Sequence, residues 1–185
     1  MSRQTFVALL RGINVSGKNK LPMADLRTLC IEIGCKNVQT YIQSGNLAIT
    51  SALAATELEQ RLEQAIAEQC QLSVPVLLRT ASDWSRYVDS NPFPDESKRH
   101  ANRVVLTLSK HPPDSDVAAK LNERAAHGEH VLREGDALWI HYPQGIARSK
   151  LVPAVIERLA GSPVTARNWR TVAKLHEMAG GISLE

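Results

Sequence analysis

The chain has 185 residues, 43% of them hydrophobic and 22% charged, which is the make-up of a folded globular chain and not of a disordered one. Lys and Arg number 22 against 19 Asp and Glu, and the resulting +3 is too mild to demand a polyanionic partner. No apolar run approaches the roughly 18 residues of a membrane span, and aromatics at 4% weigh against base stacking as a binding mode.

The start, Met1-Ser2-Arg3-Gln4, runs directly into a short apolar stretch without a long apolar region or a small-residue cleavage site, so no secretory signal is expected. Cys30, Cys35 and Cys70 make an odd count with no Cys-x-x-Cys pair. A reducing, cytoplasmic setting is expected, with Cys30 as a core residue and no zinc or redox role.

The first predicted strand is Thr5 to Leu10. A loop, 11–20, leads to Pro22, which suits a first helical turn. Leu26, Leu29, Cys30 and Ile33 then follow helical spacing, and Gly34 is placed to end that helix. Two short strands, Val38 to Gln43 and Leu47 to Thr50, flank a turn at Ser44-Gly45-Asn46. Thr56 and Glu59 have the spacing of a capping box, opening a helix with Leu58, Leu62, Ala65 and Ile66 on one face. A strand from Val74 to Arg79 and a helix around Trp84 to Val88 complete the first half.

Residues 91–101 carry two prolines, four charged residues and His100, a composition that discourages helix and strand. This places a linker at 93–101 between units 1–92 and 102–183. The second half begins with a strand, Arg103 to Ser109, then a helix presenting Val117 and Leu121. A hairpin follows, Val131 to Arg133 and Leu138 to Tyr142, around Glu134-Gly135-Asp136. Val152, Val155, Ile156 and Leu159 mark the next helix, ended by Gly161. A strand, Val164 to Ala166, leads into a helix from Asn168 to Met178. Leu184-Glu185 reads as a cloning remnant.

Both halves therefore repeat strand, helix, hairpin, helix, strand, helix. The expected fold is α+β, with two tandem ferredoxin-like (βαββαβ-type) units related by internal duplication.

Gly12, Gly17 and Lys18 fit Gly-x-x-x-x-Gly-Lys between a strand and a helix. A hydrolytic phosphate loop needs Ser or Thr next, for magnesium, and here the residue is Asn19. The helix also starts too late to close the loop, and a neighbouring hairpin conflicts with a parallel sheet. Two readings stay open: a glycine-permissive connection with exposed lysines, or a non-hydrolytic anion site using Arg11, Lys18 and Lys20.

Ser44-Gly45-Asn46 resembles the Ser-x-Asn element of penicillin-recognising enzymes, but the companion Ser-x-x-Lys is missing. His127, His130 and His141 lack a ligand-like spacing, so no metal and no cofactor are expected. Arg148, Lys150, Arg167, Arg170 and Lys174 make the C-terminal third locally basic. Trp169 follows Arg167-Asn168 near a helix N-terminus, where it could stack on a ligand or cover the core. The aromatic signature of an RNA-recognition motif is absent, with Tyr41 alone on the first hairpin.

Arg11-Gly12-Ile13-Asn14-Val15, Gly17-Lys18-Asn19-Lys20, Pro22-Met23-Ala24-Asp25-Leu26-Arg27 and Thr40-Tyr41-Ile42-Gln43-Ser44-Gly45-Asn46 resemble the signature of domain of unknown function 1697, a bacterial family. Ser149-Lys150-Leu151 and Thr165-Ala166-Arg167-Asn168-Trp169-Arg170-Thr171-Val172 resemble its closing motifs. Ser16 stands where relatives commonly carry Gly. The resemblance implies a duplicated ferredoxin-like fold and no established activity. It points to Arg11, Asn14, Lys18, Lys20, Tyr41, Ser44, Asn46, Lys150, Arg167, Asn168 and Trp169 as binding residues.

The expected function is binding of an anionic small molecule, such as a nucleotide or phosphorylated metabolite, at the seam between the halves. Arg11, Lys18 and Arg167 would supply charge, Asn14, Asn46 and Asn168 orientation, and Tyr41 or Trp169 an apolar surface. The alternatives are nucleic-acid binding through the basic C-terminal third and a protein-interaction module. No membrane partner is expected. Spacing alone names no nucleophile or acid–base pair, so it leaves enzymatic activity open.

Overall fold

A computed structural model describes residues 3–181. The chain divides into two compact units, residues 1–85 with 175–185, and residues 86–174. Leu184 and Glu185 lie outside the described residues.

In the first unit, β1 (Gln4–Leu10), β2 (Lys36–Tyr41), β3 (Asn46–Ser51) and β4 (Val76–Thr80) form an antiparallel sheet of order β2-β3-β1-β4. Helices α1 (Met23–Glu32) and α2 (Ala55–Cys70) precede β2 and β4. Phe6, Ala8 and Leu10 of β1 pack with Leu26, Leu29 and Cys30 of α1 and Leu58, Leu62 and Ile66 of α2. Val7 and Leu9, on the opposite face of β1, are buried too. Burial on both faces explains why β1 reads as a continuous apolar run and not as an alternation.

Helices α3 (Ala81–Asp89) and α4 (Pro94–Arg99) follow. The second sheet contains β5 (Val104–Ser109), β6 (His130–Glu134), β7 (Ala137–His141) and β8 (Val164–Asn168), in the order β6-β7-β5-β8, again antiparallel. Helices α5 (Val117–Asn122) and α6 (Pro153–Ala160) contribute Val117, Leu121 and Ile156 to a core with Val105, Leu138 and Ile140. Helix α7 (Trp169–Met178) continues directly from β8.

Three local expectations are corrected. The 93–101 segment contains helix α4. Pro94 occupies its first turn, where a missing N–H costs nothing, with Asp95 and Glu96 at its start and Lys98 and Arg99 at its end. The Thr56–Glu59 capping box does not form. Ala54 is the N-cap of α2, and Glu59 instead accepts the Leu78 N–H at 3.1 Å. The turn expected at 44–46 spans 42–45, because Asn46 already pairs with Tyr41 across the ladder.

Residue for residue, the two units repeat several contacts. Arg11 N–H donates to the Pro75 carbonyl just before β4, and Lys110 N–H to the Pro163 carbonyl just before β8, each at 2.9 Å. Val76 N–H donates to Glu63 of α2 at 2.9 Å, and Val164 N–H to Glu157 of α6 at 3.1 Å. Arg79 and Arg167 each donate to the preceding residue's carbonyl at 2.8 Å. Thr80 caps α3 through the Asp83 N–H, and Asn168 caps α7 through the Thr171 N–H, each at 3.0 Å.

Candidate functional site

The loop after β1 is a small hairpin of its own. Val15 and Lys18 form an isolated antiparallel bridge, with the Lys18 N–H donating to the Val15 carbonyl at 2.9 Å. Ser16 (φ 49°) and Gly17 (φ 76°) turn between them in the left-handed region, as a type I′ turn requires. Gly12, Asn14 and Asn19 are left-handed as well, so the loop concentrates five such residues. Asparagine tolerates this better than most residues, yet each non-glycine instance still costs about 1 kcal/mol or more.

Side chains hold that backbone in place. Asn14 donates to the Leu21 carbonyl at 2.9 Å and to the Gln43 carbonyl at 2.8 Å, and accepts the Leu21 N–H at 2.8 Å. Its amide closes the base of the loop and ties it to the 42–45 turn. Asn19 donates to the Gly12 carbonyl at 2.9 Å. Lys18 and Lys20 are exposed, whereas Arg11 is half-buried and engaged within the chain. This geometry differs from a phosphate cradle. The loop's centre is closed by its own bridge, and α1 begins only at Met23.

The 42–45 turn is equally constrained. Asn46 is fully buried and donates to the Tyr41 carbonyl at 3.0 Å and the Ser44 hydroxyl at 2.9 Å. A Cβ on Gly45 would come within 2.6 Å of Leu10 Cβ and 2.9 Å of Ile13 Cδ1, and its φ is +74°. Ile42 sits at φ 49° and is 52% exposed, an uncommon conformation for a β-branched residue that buries little in return. Tyr41 and Ser44 are half-buried. Within the first unit the structure thus brings loop 11–20 beside the Tyr41, Ser44 and Asn46 turn. The donors of Asn14 and Asn46 are spent on the protein itself.

In the second unit, Lys150 is exposed between a 3-10 turn, Ile146–Arg148, and α6. Ser149 accepts the Leu151 N–H at 3.0 Å, which gives that motif a structural role. Arg167 donates to the Thr165 hydroxyl at 2.7 Å as well as to its neighbour's carbonyl. Loss of solvent lowers its pKa to about 10, which leaves it charged at neutral pH. Asn168 is the helix cap described above. Trp169 lies against Trp139 with ring centroids 6.0 Å apart. The Trp139 indole N–H is buried without a partner among the described residues.

Burial pushes the Cys30 thiol up to about 12, and raises Cys35 and Cys70. Such thiols stay protonated and unreactive at neutral pH. No group of three metal-ligating side chains converges among the described residues, and no helix among them is long and apolar enough to cross a membrane.

Arg79 escaped the sequence reading. Its signal was a repeat 88 positions apart: Pro75-Val76-Leu77-Leu78-Arg79 and Pro163-Val164-Thr165-Ala166-Arg167 share Pro-Val-x-x-Arg.

No curated protein matches the chain. A solved structure, a conserved bacterial protein SP0830 from Streptococcus pneumoniae, is similar in fold, with a TM-score of 0.74 and 24% identity over 96% of this chain and 99% of that one. The family model described as protein of unknown function (DUF1697) matches residues 3–139, and the chain belongs to that family.

Proposed function

We propose that the chain binds a small anionic molecule, with loop 11–20 of the first unit as the element that holds the anion. The observation that carries this reading is the pinned loop itself. Five left-handed residues and the Asn14 and Asn19 hydrogen bonds fix an exposed segment bearing Lys18 and Lys20. No Asp or Glu occurs between residues 4 and 24 to neutralise them. Strained backbone held rigid at the surface is the usual condition of a pre-organised binding element. Asn14 and Asn46 support this element from behind, since their amides are occupied.

Inorganic pyrophosphate and a nucleoside triphosphate, added at millimolar concentration in a thermal-shift assay, test the reading. Ten-fold excess over Kd raises the melting temperature by about 3–6 °C. A Lys18→Ala, Lys20→Ala double variant loses that shift while keeping its own melting temperature. No shift with either probe refutes the reading. The nucleic-acid alternative has no observation in its favour: Asn168 is engaged as a helix cap and Trp169 packs at a tilt against Trp139.

We also infer that the two units are ferredoxin-like copies of one ancestral unit. Support comes from the matching strand orders, the paired Arg79 and Arg167, the paired Glu63 and Glu157, and the shared Pro-Val-x-x-Arg. Its test is the loss of stability on Arg79→Lys and on Arg167→Lys, which is expected to be equal because each arginine donates to the preceding residue's carbonyl at 2.8 Å. Unequal loss of stability in the two variants counts against equivalence.

A further inference from the structure

A sheet of four strands has two edges, and two sheets have four. On three of the four, side chains take outward backbone groups. On β4, the outward N–H groups of Val76, Leu78 and Thr80 donate to Glu63, Glu59 and Asp83. On β8, Val164 N–H donates to Glu157. On β6, Asn122 takes both the N–H and the carbonyl of Val131, at 2.8 Å each. The fourth edge is β2.

Alternation in the antiparallel ladder shows which β2 groups face outward. Leu10 N–H donates to the Gly45 carbonyl, so the even-numbered residues of β1 turn their backbone toward β3. Leu47 and Ile49 therefore face β1, and Asn46 and Ala48 face β2, where they meet Tyr41 and Gln39. Thr40, between them, points its N–H and carbonyl away from the sheet. Among the described residues nothing bonds either group. A bulge between Lys36 and Gln39 breaks the regular ladder at the start of the strand, so the open stretch is 39–42.

The surroundings carry one sign of charge. Lys36 is exposed on the same strand, and Lys18 and Lys20 lie on the loop that Asn14 fastens to Gln43. Segments 11–22 and 33–50 contain no Asp or Glu. Val15 and Ile42, 56% and 52% exposed, add apolar surface to this positive region.

We propose that the β2 edge accepts an extended acidic peptide segment from a protein partner, which adds a fifth strand to the first sheet through the Thr40 backbone. Main-chain bonds supply the attachment, and Lys36, Lys18 and Lys20 select carboxylates. A second copy of the chain would bring the same cations to the interface, which makes it the poorer occupant.

The full chain, isotope-labelled, is titrated with a blocked hexapeptide of alternating valine and glutamate, and separately with its valine–lysine counterpart. The glutamate peptide slows exchange of the Thr40 amide by about tenfold or more, and the lysine peptide does not. Thr40→Pro removes the outward donor and abolishes the chemical-shift changes that the glutamate peptide causes in neighbouring amides of the first sheet. Lys36→Glu, at an exposed site that leaves folding intact, weakens binding by about tenfold. No protection of Thr40 by the glutamate peptide, or equal protection by both peptides, overturns the proposal. So does dimerisation through 39–42, or protection of this edge by a single-stranded oligonucleotide but not by the peptide.

Discussion

The two units build the same sheet with different ornaments, and the second serves as an internal control for the first. After β1 the chain makes a bridged hairpin with five left-handed residues. After β5 the corresponding connection uses Pro112 and Pro113, and the Ser109 hydroxyl donates to the His111 carbonyl at 2.6 Å. The turn after β2 packs Gly45 against Leu10, while the turn after β6 leaves Gly135 open. Asn122 takes the outward backbone groups of Val131 on the β6 edge, and no side chain does the same for Thr40 on the β2 edge among the described residues. Since the second unit reaches the same strand order without them, the strained loop, the crowded turn and the open edge are not demands of the fold. That contrast is the physical reason for proposing a binding role for them.

The largest test of this contrast lies in the two turn glycines. Gly45→Ala costs about 3–5 kcal/mol, from steric overlap and left-handed strain together. Gly135→Ala, which meets nothing within 4 Å, costs about 1 kcal/mol. Chemical denaturation of both variants measures the difference, and equal losses would break the comparison.

Asn14→Ala removes three hydrogen bonds and releases the loop at a cost of about 1–3 kcal/mol. It also abolishes the pyrophosphate shift although Asn14 touches no anion, which separates a supporting role from a contacting one. Next comes Asn122→Ala, which costs about 1–2 kcal/mol and opens the β6 edge. Amide exchange at Val131 accelerates, and that edge then behaves like β2.

The smallest effect concerns pH. Burial lowers the His141 pKa, with Arg103, His130 and His100 pushing the same way against Glu96. Phe93 packs on both His130 and His141, with centroids 6.0 and 5.7 Å away. The folded imidazole thus binds a proton less readily than the unfolded one. Its contribution is complete above about pH 6.5 and is lost as pH falls below that value. His141→Gln flattens the fall in stability between pH 7 and 5, and an unchanged slope would place the dependence elsewhere.

Periodicity made most elements legible. The Leu26, Leu29, Cys30 stripe and the Leu58, Leu62, Ile66 stripe are spaced for helices and are buried as such. Local signals misled where one residue type serves two structures. Pro94 read as a breaker but starts a helix. Glu59 read as a cap but reaches across to a strand. The motif residues of the candidate site were identifiable, yet their division of labour was not. Asn14, Asn46 and Asn168 look like ligand-orienting amides in sequence, and each bonds the backbone of its own unit.

By itself, then, the sequence determined the family, the α+β element order apart from α4, and a cationic loop, because these rest on motifs, spacing and composition within short windows. Only the tertiary structure decided which sheet edges are closed and which asparagines are spent. The partners in those contacts lie up to 29 residues apart in the first unit, as Asn14 and Gln43 do, and hydrogen-bond satisfaction becomes countable only once the strands have been brought together.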